Sequence, residues 1–113
     1  MNSIIVTGSS KGIGRYISEY YLKKGFIVFG CSRSDSDLAH KNYRHYNCDV
    51  SDHKSVSKVL INIKKESPHI DALINNAGVA SLNHSLLTPP NTLKKVFETN
   101  FFGSFFFSKE CAK

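Results

Sequence analysis

Two patterns of hydrophobic and polar positions take turns along this 113-residue chain: short continuous apolar runs, and longer segments with apolar residues at helical spacing. The apolar runs at residues 3–6, 26–31 and 70–75 predict strands, because a parallel strand covered on both faces shows no polar alternation. Residues 43–47 are more polar and predict a strand at a sheet edge. Residues 12–24 predict a helix with Ile13, Ile17, Tyr20 or Tyr21, and Leu22 facing inward around Ser18, stopped by Gly25. In residues 53–67, Val56, Val59, Leu60 and Ile63 share one face, Asp52 is placed to cap the start, and Pro68 ends the helix. Residues 32–42 predict a polar loop with at most a short helix, and residues 78–88 a long mixed loop. Pro89-Pro90 opens a last helix, where a missing N–H costs little. Strand–helix alternation with right-handed crossovers predicts an α/β fold. Its doubly wound parallel sheet has the order 3-2-1-4, with a ligand crevice between strands one and four.

The turn after the first strand, Thr7-Gly8-Ser9-Ser10-Lys11-Gly12-Ile13-Gly14, carries the strongest chemical signal. Gly8 lets the chain leave the strand sharply. Gly12 removes a side chain where a pyrophosphate must come close, and Gly14 lets the helix pack tightly. A helix N-terminus just beyond the turn favours negative charge. The spacing is G-x-x-x-G-x-G, and its strand–turn–helix setting points to a dinucleotide. The fourth strand ends in Asn75-Asn76-Ala77-Gly78, a compact turn of two amides and two small residues. Asn100, among apolar neighbours in the last predicted helix, suggests a buried polar task.

Together these motifs resemble the classical short-chain dehydrogenase/reductase family. Residues 7–14 match its T-G-x-x-x-G-I-G element, residues 75–78 its N-N-A-G element, and Cys48-Asp49-Val50 its short acidic motif after the third strand. The resemblance implies a Rossmann-type fold with the cofactor against Gly8, Ser10, Lys11, Gly12, Ile13 and Gly14. Ser32 and Arg33 follow strand two at the adenosine end, Asp49 and Val50 meet the adenine ring, and Asn76, Ala77 and Gly78 complete the site. It also implies that Asn100 belongs to a catalytic tetrad, holding a water in the proton relay. The rest of that tetrad is a Ser and a Tyr-x-x-x-Lys pair, with the Tyr as general acid or base. No such pair is present in the right part of the fold. Tyr20 has Lys24 four residues on, but on helix one, as a helix-surface coincidence. Residues 1–113 alone are therefore expected not to catalyse.

The family's full domain is roughly twice this length. Residues 104–113 still read as helix with no stop signal, while Met1 leads directly into strand residues. The expectation is the N-terminal part of a longer, single NAD(P)-binding domain. On its own such a chain would have an unpaired edge at strand four and be loose or prone to aggregate. The aromatic cluster of Phe101, Phe102, Phe105, Phe106 and Phe107 covers more than one helix face and is divided between core and partner. Relatives often dimerise through this helix, so a homo-oligomer is expected for the full-length protein.

Composition narrows the alternatives. Net charge is +6 and the pI near 9.3, but the basic residues are scattered over predicted helices without interleaved aromatics. Solvated helix faces and attraction for a phosphorylated cofactor account for them better than nucleic acid. Three cysteines and five histidines at long spacings form neither a disulfide framework nor a metal pattern, and no run is long enough to span a bilayer. A cytoplasmic chain with reduced thiols is expected.

The end of strand two decides between cofactors. An acid there would grip the ribose hydroxyls of NAD, whereas a base accommodates the 2′-phosphate of NADP. Here the strand ends Gly30-Cys31-Ser32-Arg33, with Lys11 close by in the glycine turn and Asp35 too far beyond the strand end to stand in. NADP(H) is favoured, with NAD(H) as the alternative. Two readings follow: an oxidoreductase acting on a carbonyl or alcohol, or a binding or sensing module that uses NADP(H) without chemistry.

Overall fold

The computed structural model describes residues 2–77 and 103–112. Strands β1 (Ser3–Thr7), β2 (Ile27–Ser32), β3 (Tyr43–Asn47) and β4 (Ala72–Ile74) form one parallel sheet in the order β3-β2-β1-β4. The helices are α1 (Gly12–Lys23), α2 (His53–Glu66) and α3 (Gly103–Ala112). The predicted order is the observed one, and β3 lies at an edge as its polarity required.

Alternate residues of the central strand serve opposite faces of the sheet. Ile4 and Val6 pack with Val28, Tyr43 and Leu22 of α1. Ile5 joins Phe29, Cys31 and the α2 residues Val56, Val59, Leu60 and Ile63 on the other side, together with Phe107 of α3. All of β1 is buried, which explains its unbroken apolar pattern. The aromatic cluster is represented here by the fully buried Phe107; Phe101 and Phe102 lie outside the described residues.

Helix α2 starts as predicted, the Asp52 carboxylate accepting from the Lys54 N–H at 3.2 Å. Helix α1 differs from expectation. Ile13 is 71% exposed and Tyr20 is also exposed, whereas Gly14, Ser18 and Leu22 form the buried line, flanked by Ile17 and Tyr21. Gly14 draws the helix so close to the preceding turn that the inward face follows the spacing of four from that residue, and Ile13 lies about 100° away. Tyr20 and Lys24 meet on the outer surface, with the Lys24 Nζ 5.4 Å from the ring centroid. Strand β4 is shorter than predicted. Before it, the Asp71 N–H still donates to the Ser3 carbonyl at 2.9 Å, while the Ser3 N–H donates to the Asp71 side chain, Oδ2, at 2.8 Å. After it, the Asn75 side chain turns toward α3 and donates to Ser108 Oγ at 3.2 Å.

Candidate functional site

The C-terminal ends of the parallel strands open onto a cleft of about 540 Å³, between the turn before α1, the loop after β2, the segment after β3 and the turn after β4. A doubly wound sheet places its ligand at this switch between crossover directions.

Gly8, Ser10 and Lys11 line the cleft from the first turn. Gly8 and Gly12 have φ of +67° and +61°, which a side chain would strain. A Cβ at Gly12 would meet open space, so the surface there is clear for a bulky anion. Gly12, Ile13 and Gly14, in the first turn of α1, are not among the lining residues; Gly12 and Ile13 are exposed and Gly14 is buried. Gly14 is needed for packing of a kind more specific than helix against sheet. A Cβ there would sit 2.0 Å from the Gly8 carbonyl oxygen and 2.6 Å from Asn76 Nδ2.

The turn after β4 is tied to the glycine turn. The Thr7 hydroxyl accepts from the N–H groups of Asn76 and Ala77 at 3.0 and 2.9 Å, and Asn76 Nδ2 donates to the Gly8 carbonyl at 3.3 Å. Asn76 and Ala77 both line the cleft. Thr7 was read only as part of a motif; its work as a double acceptor depends on β1 and β4 being neighbours, which spacing alone does not display. Gly78 and Asn100 lie outside the described residues.

From the other side come Ser32, Arg33 and Ser34 after β2, and Cys48, Asp49 and Val50 after β3. Asp49 Oδ1 accepts from the Ser51 N–H and hydroxyl at 3.0 and 2.7 Å, which orients the carboxylate at the rim. Ser34 is a lining residue that the sequence did not single out, and Cys48, read there only as the first residue of the acidic motif, lines the cleft as well. Burial pushes the Cys31 and Cys48 thiols up, so both are held in the unreactive protonated form. Both cysteines are accordingly expected to alkylate slowly with iodoacetamide at neutral pH in the native protein and rapidly after denaturation. Fast native labelling, read by peptide mass, would contradict this.

Two acids follow Arg33 in the loop, and both are engaged away from the cleft lining. Asp35 accepts from Asn47 Nδ2 at 2.5 Å, and Asp37 pairs with Arg15 of α1. The arginine lowers the Asp37 pKa and keeps it anionic there. The residues present therefore fit a dinucleotide: a glycine turn with open space, serine hydroxyls, and the cations Lys11 and Arg33 lining one cleft. Among the described residues no cluster suits a metal ion, and no helix is long and apolar enough to cross a membrane.

Comparison with known proteins agrees with this geometry. The 3-oxoacyl-acyl-carrier-protein reductase FabG of Salmonella typhimurium is 34% identical over 111 residues, covering 93% of this chain and 46% of that protein. The ligand-free aldohexose dehydrogenase of Thermoplasma acidophilum superposes with a TM-score of 0.92 at 33% identity, over 98% of this chain and 43% of its own. A 4-hydroxyisoleucine dehydrogenase complexed with NADH gives 0.89 at 26% identity, over 99% and 48%. The chain thus spans somewhat less than half the length of these relatives. The sequence profile of the short chain dehydrogenases matches residues 2–113, and the chain belongs to that family.

Proposed function

We propose that this chain supplies the cofactor-binding part of an NADP(H)-dependent oxidoreductase, which moves a hydride between the nicotinamide and a carbonyl or alcohol carbon of a small molecule. The observation that carries the choice of cofactor is the charge at the end of β2. Arg33 and Lys11 line the same cleft, and the hydroxyls of their chain neighbours Ser34 and Ser10 are 3.4 Å apart. A guanidinium there matches a 2′-phosphate in charge and in fork geometry. Asp35 and Asp37, the acids that would favour ribose hydroxyls, are committed to Asn47 and Arg15.

The bound nicotinamide supplies the hydride; the protein holds and orients it. The glycine turn and the first turn of α1 receive the pyrophosphate, and Asp49 and Val50 flank the adenine. The Thr7 clamp fixes the wall formed by Asn76 and Ala77. In this reading Asn100 holds a water of the proton relay.

Titration of the native full chain with NADPH and NADH tests the reading through nicotinamide fluorescence. NADPH is expected to bind at least about tenfold more tightly, the worth of one charge-assisted phosphate contact. Equal binding would remove the NADP(H) preference, and binding of neither would remove the cofactor reading altogether.

A further inference from the structure

Behind the cleft a chain of hydroxyl and imidazole groups runs from the glycine turn to the loop that carries Arg33. Tyr43 and His45 are two residues apart on β3, so their side chains share one face of the sheet. Their rings stack with centroids 5.9 Å apart. The Tyr43 hydroxyl lies 2.9 Å from Ser9 Oγ and 2.8 Å from His45 Nδ1. On the far side of the imidazole, His45 Nε2 is 3.0 Å from the Ser34 carbonyl oxygen and 3.1 Å from Ser32 Oγ. Ser32 Oγ also donates to the Ser34 carbonyl, at 2.6 Å.

What each group can donate fixes the direction of the chain. A carbonyl oxygen only accepts, so the proton belongs on His45 Nε2. In the neutral imidazole Nδ1 is then the acceptor and takes the Tyr43 O–H. The Tyr43 oxygen accepts in turn from the Ser9 hydroxyl. Burial raises the Tyr43 pKa and keeps the phenol protonated for this role. The path is open because β2 has glycine at position 30: a Cβ there would lie 2.0 Å from the Tyr43 oxygen and 2.4 Å from Ser9 Oγ.

We propose that Tyr43 and His45 are positioning residues that set the preference for a 2′-phosphate, by fixing the loop of Arg33 relative to the glycine turn of Lys11. Neither is among the residues lining the cleft. They act through Ser9 on one side and through Ser32 and the Ser34 carbonyl on the other, so that the backbone flanking Arg33 is held from behind. This inference rests on the NADP(H) reading above.

The test is the ratio of NADH to NADPH dissociation constants in the native full chain, compared among wild type, H45L, H45Q and Y43F. The glutamine of H45Q keeps a side-chain N–H for the Ser34 carbonyl; the leucine of H45L does not. H45L is expected to narrow the preference about fivefold, the worth of one hydrogen bond, chiefly by weakening NADPH. H45Q should retain most of the preference, and Y43F should fall between them. A folded H45L or Y43F that keeps the wild-type ratio, or weakens both cofactors equally, overturns the proposal while leaving the NADP(H) reading intact. If H45L does not fold, Y43F decides by the same criterion. A wild type without preference for NADPH overturns both.

Discussion

Gly14→Ala is expected to destabilise the native chain by about 3 kcal/mol, the upper end for overpacking, and to weaken NADPH binding more than tenfold. The new methyl group would lie 2.0 Å from the Gly8 carbonyl oxygen and 2.7 Å from its carbon. These are backbone atoms of the turn proposed to receive the pyrophosphate, so relief requires moving the turn or lifting the helix. Either motion also disturbs Asn76, whose amide contacts the same carbonyl. Gly12→Ala is the control. Its Cβ meets nothing within 4 Å, and only the positive φ resists it, at about 1–2 kcal/mol. Denaturant unfolding should place Gly14→Ala well below Gly12→Ala; the comparison is one of stability alone, because a methyl group at position 12 would enter the open space proposed for the pyrophosphate. The reverse order would mean that helix and turn do not approach as closely as described.

The second large effect is expected at Arg33. Arg33→Ala should weaken NADPH binding by about 10- to 100-fold, because a hydrogen bond to a charged group contributes roughly 1.5–3 kcal/mol. NADH binding should change little, since that cofactor has only hydroxyls where the guanidinium reaches. Added salt should reduce the wild-type preference in the same direction, as Arg33 is exposed and its field is screened. Titration of the variant with both cofactors separates this from a general loss of binding. If both weaken in parallel, Arg33 supports the loop rather than reading the phosphate.

Much of this architecture was legible because the signals were local. The strand order followed from alternation of apolar runs with amphipathic segments. Gly8 and Gly12 announced their turn through backbone conformations that other residues avoid. The lining role of Arg33 followed from its place just past a strand. What escaped were contacts between elements distant in sequence. Nothing near Thr7 in the chain signals that its hydroxyl accepts from residues 76 and 77. Ile13 looked like the first residue of an inward stripe, because periodicity ranks apolar size and a glycine scores as a gap. In the folded chain that gap is the point of closest approach, and it sets the helix face. Ser34 reaches the cleft through the end of β2 and carries no local mark of that position.

The void left at Gly30 has an evolutionary consequence. The phenol oxygen of Tyr43 occupies the space where a β-carbon would stand, so positions 30 and 43 divide one fixed volume between them. Position 30 is not free to drift alone, since a Cβ there would also meet Ser9 Oγ at 2.4 Å. A methyl group at 30 is compatible with this backbone only alongside a shorter side chain at 43, and that exchange would also cut the link from Ser9 to His45. Among relatives, residue size at these two positions should therefore vary in opposition, with tyrosine at 43 accompanied by glycine at 30.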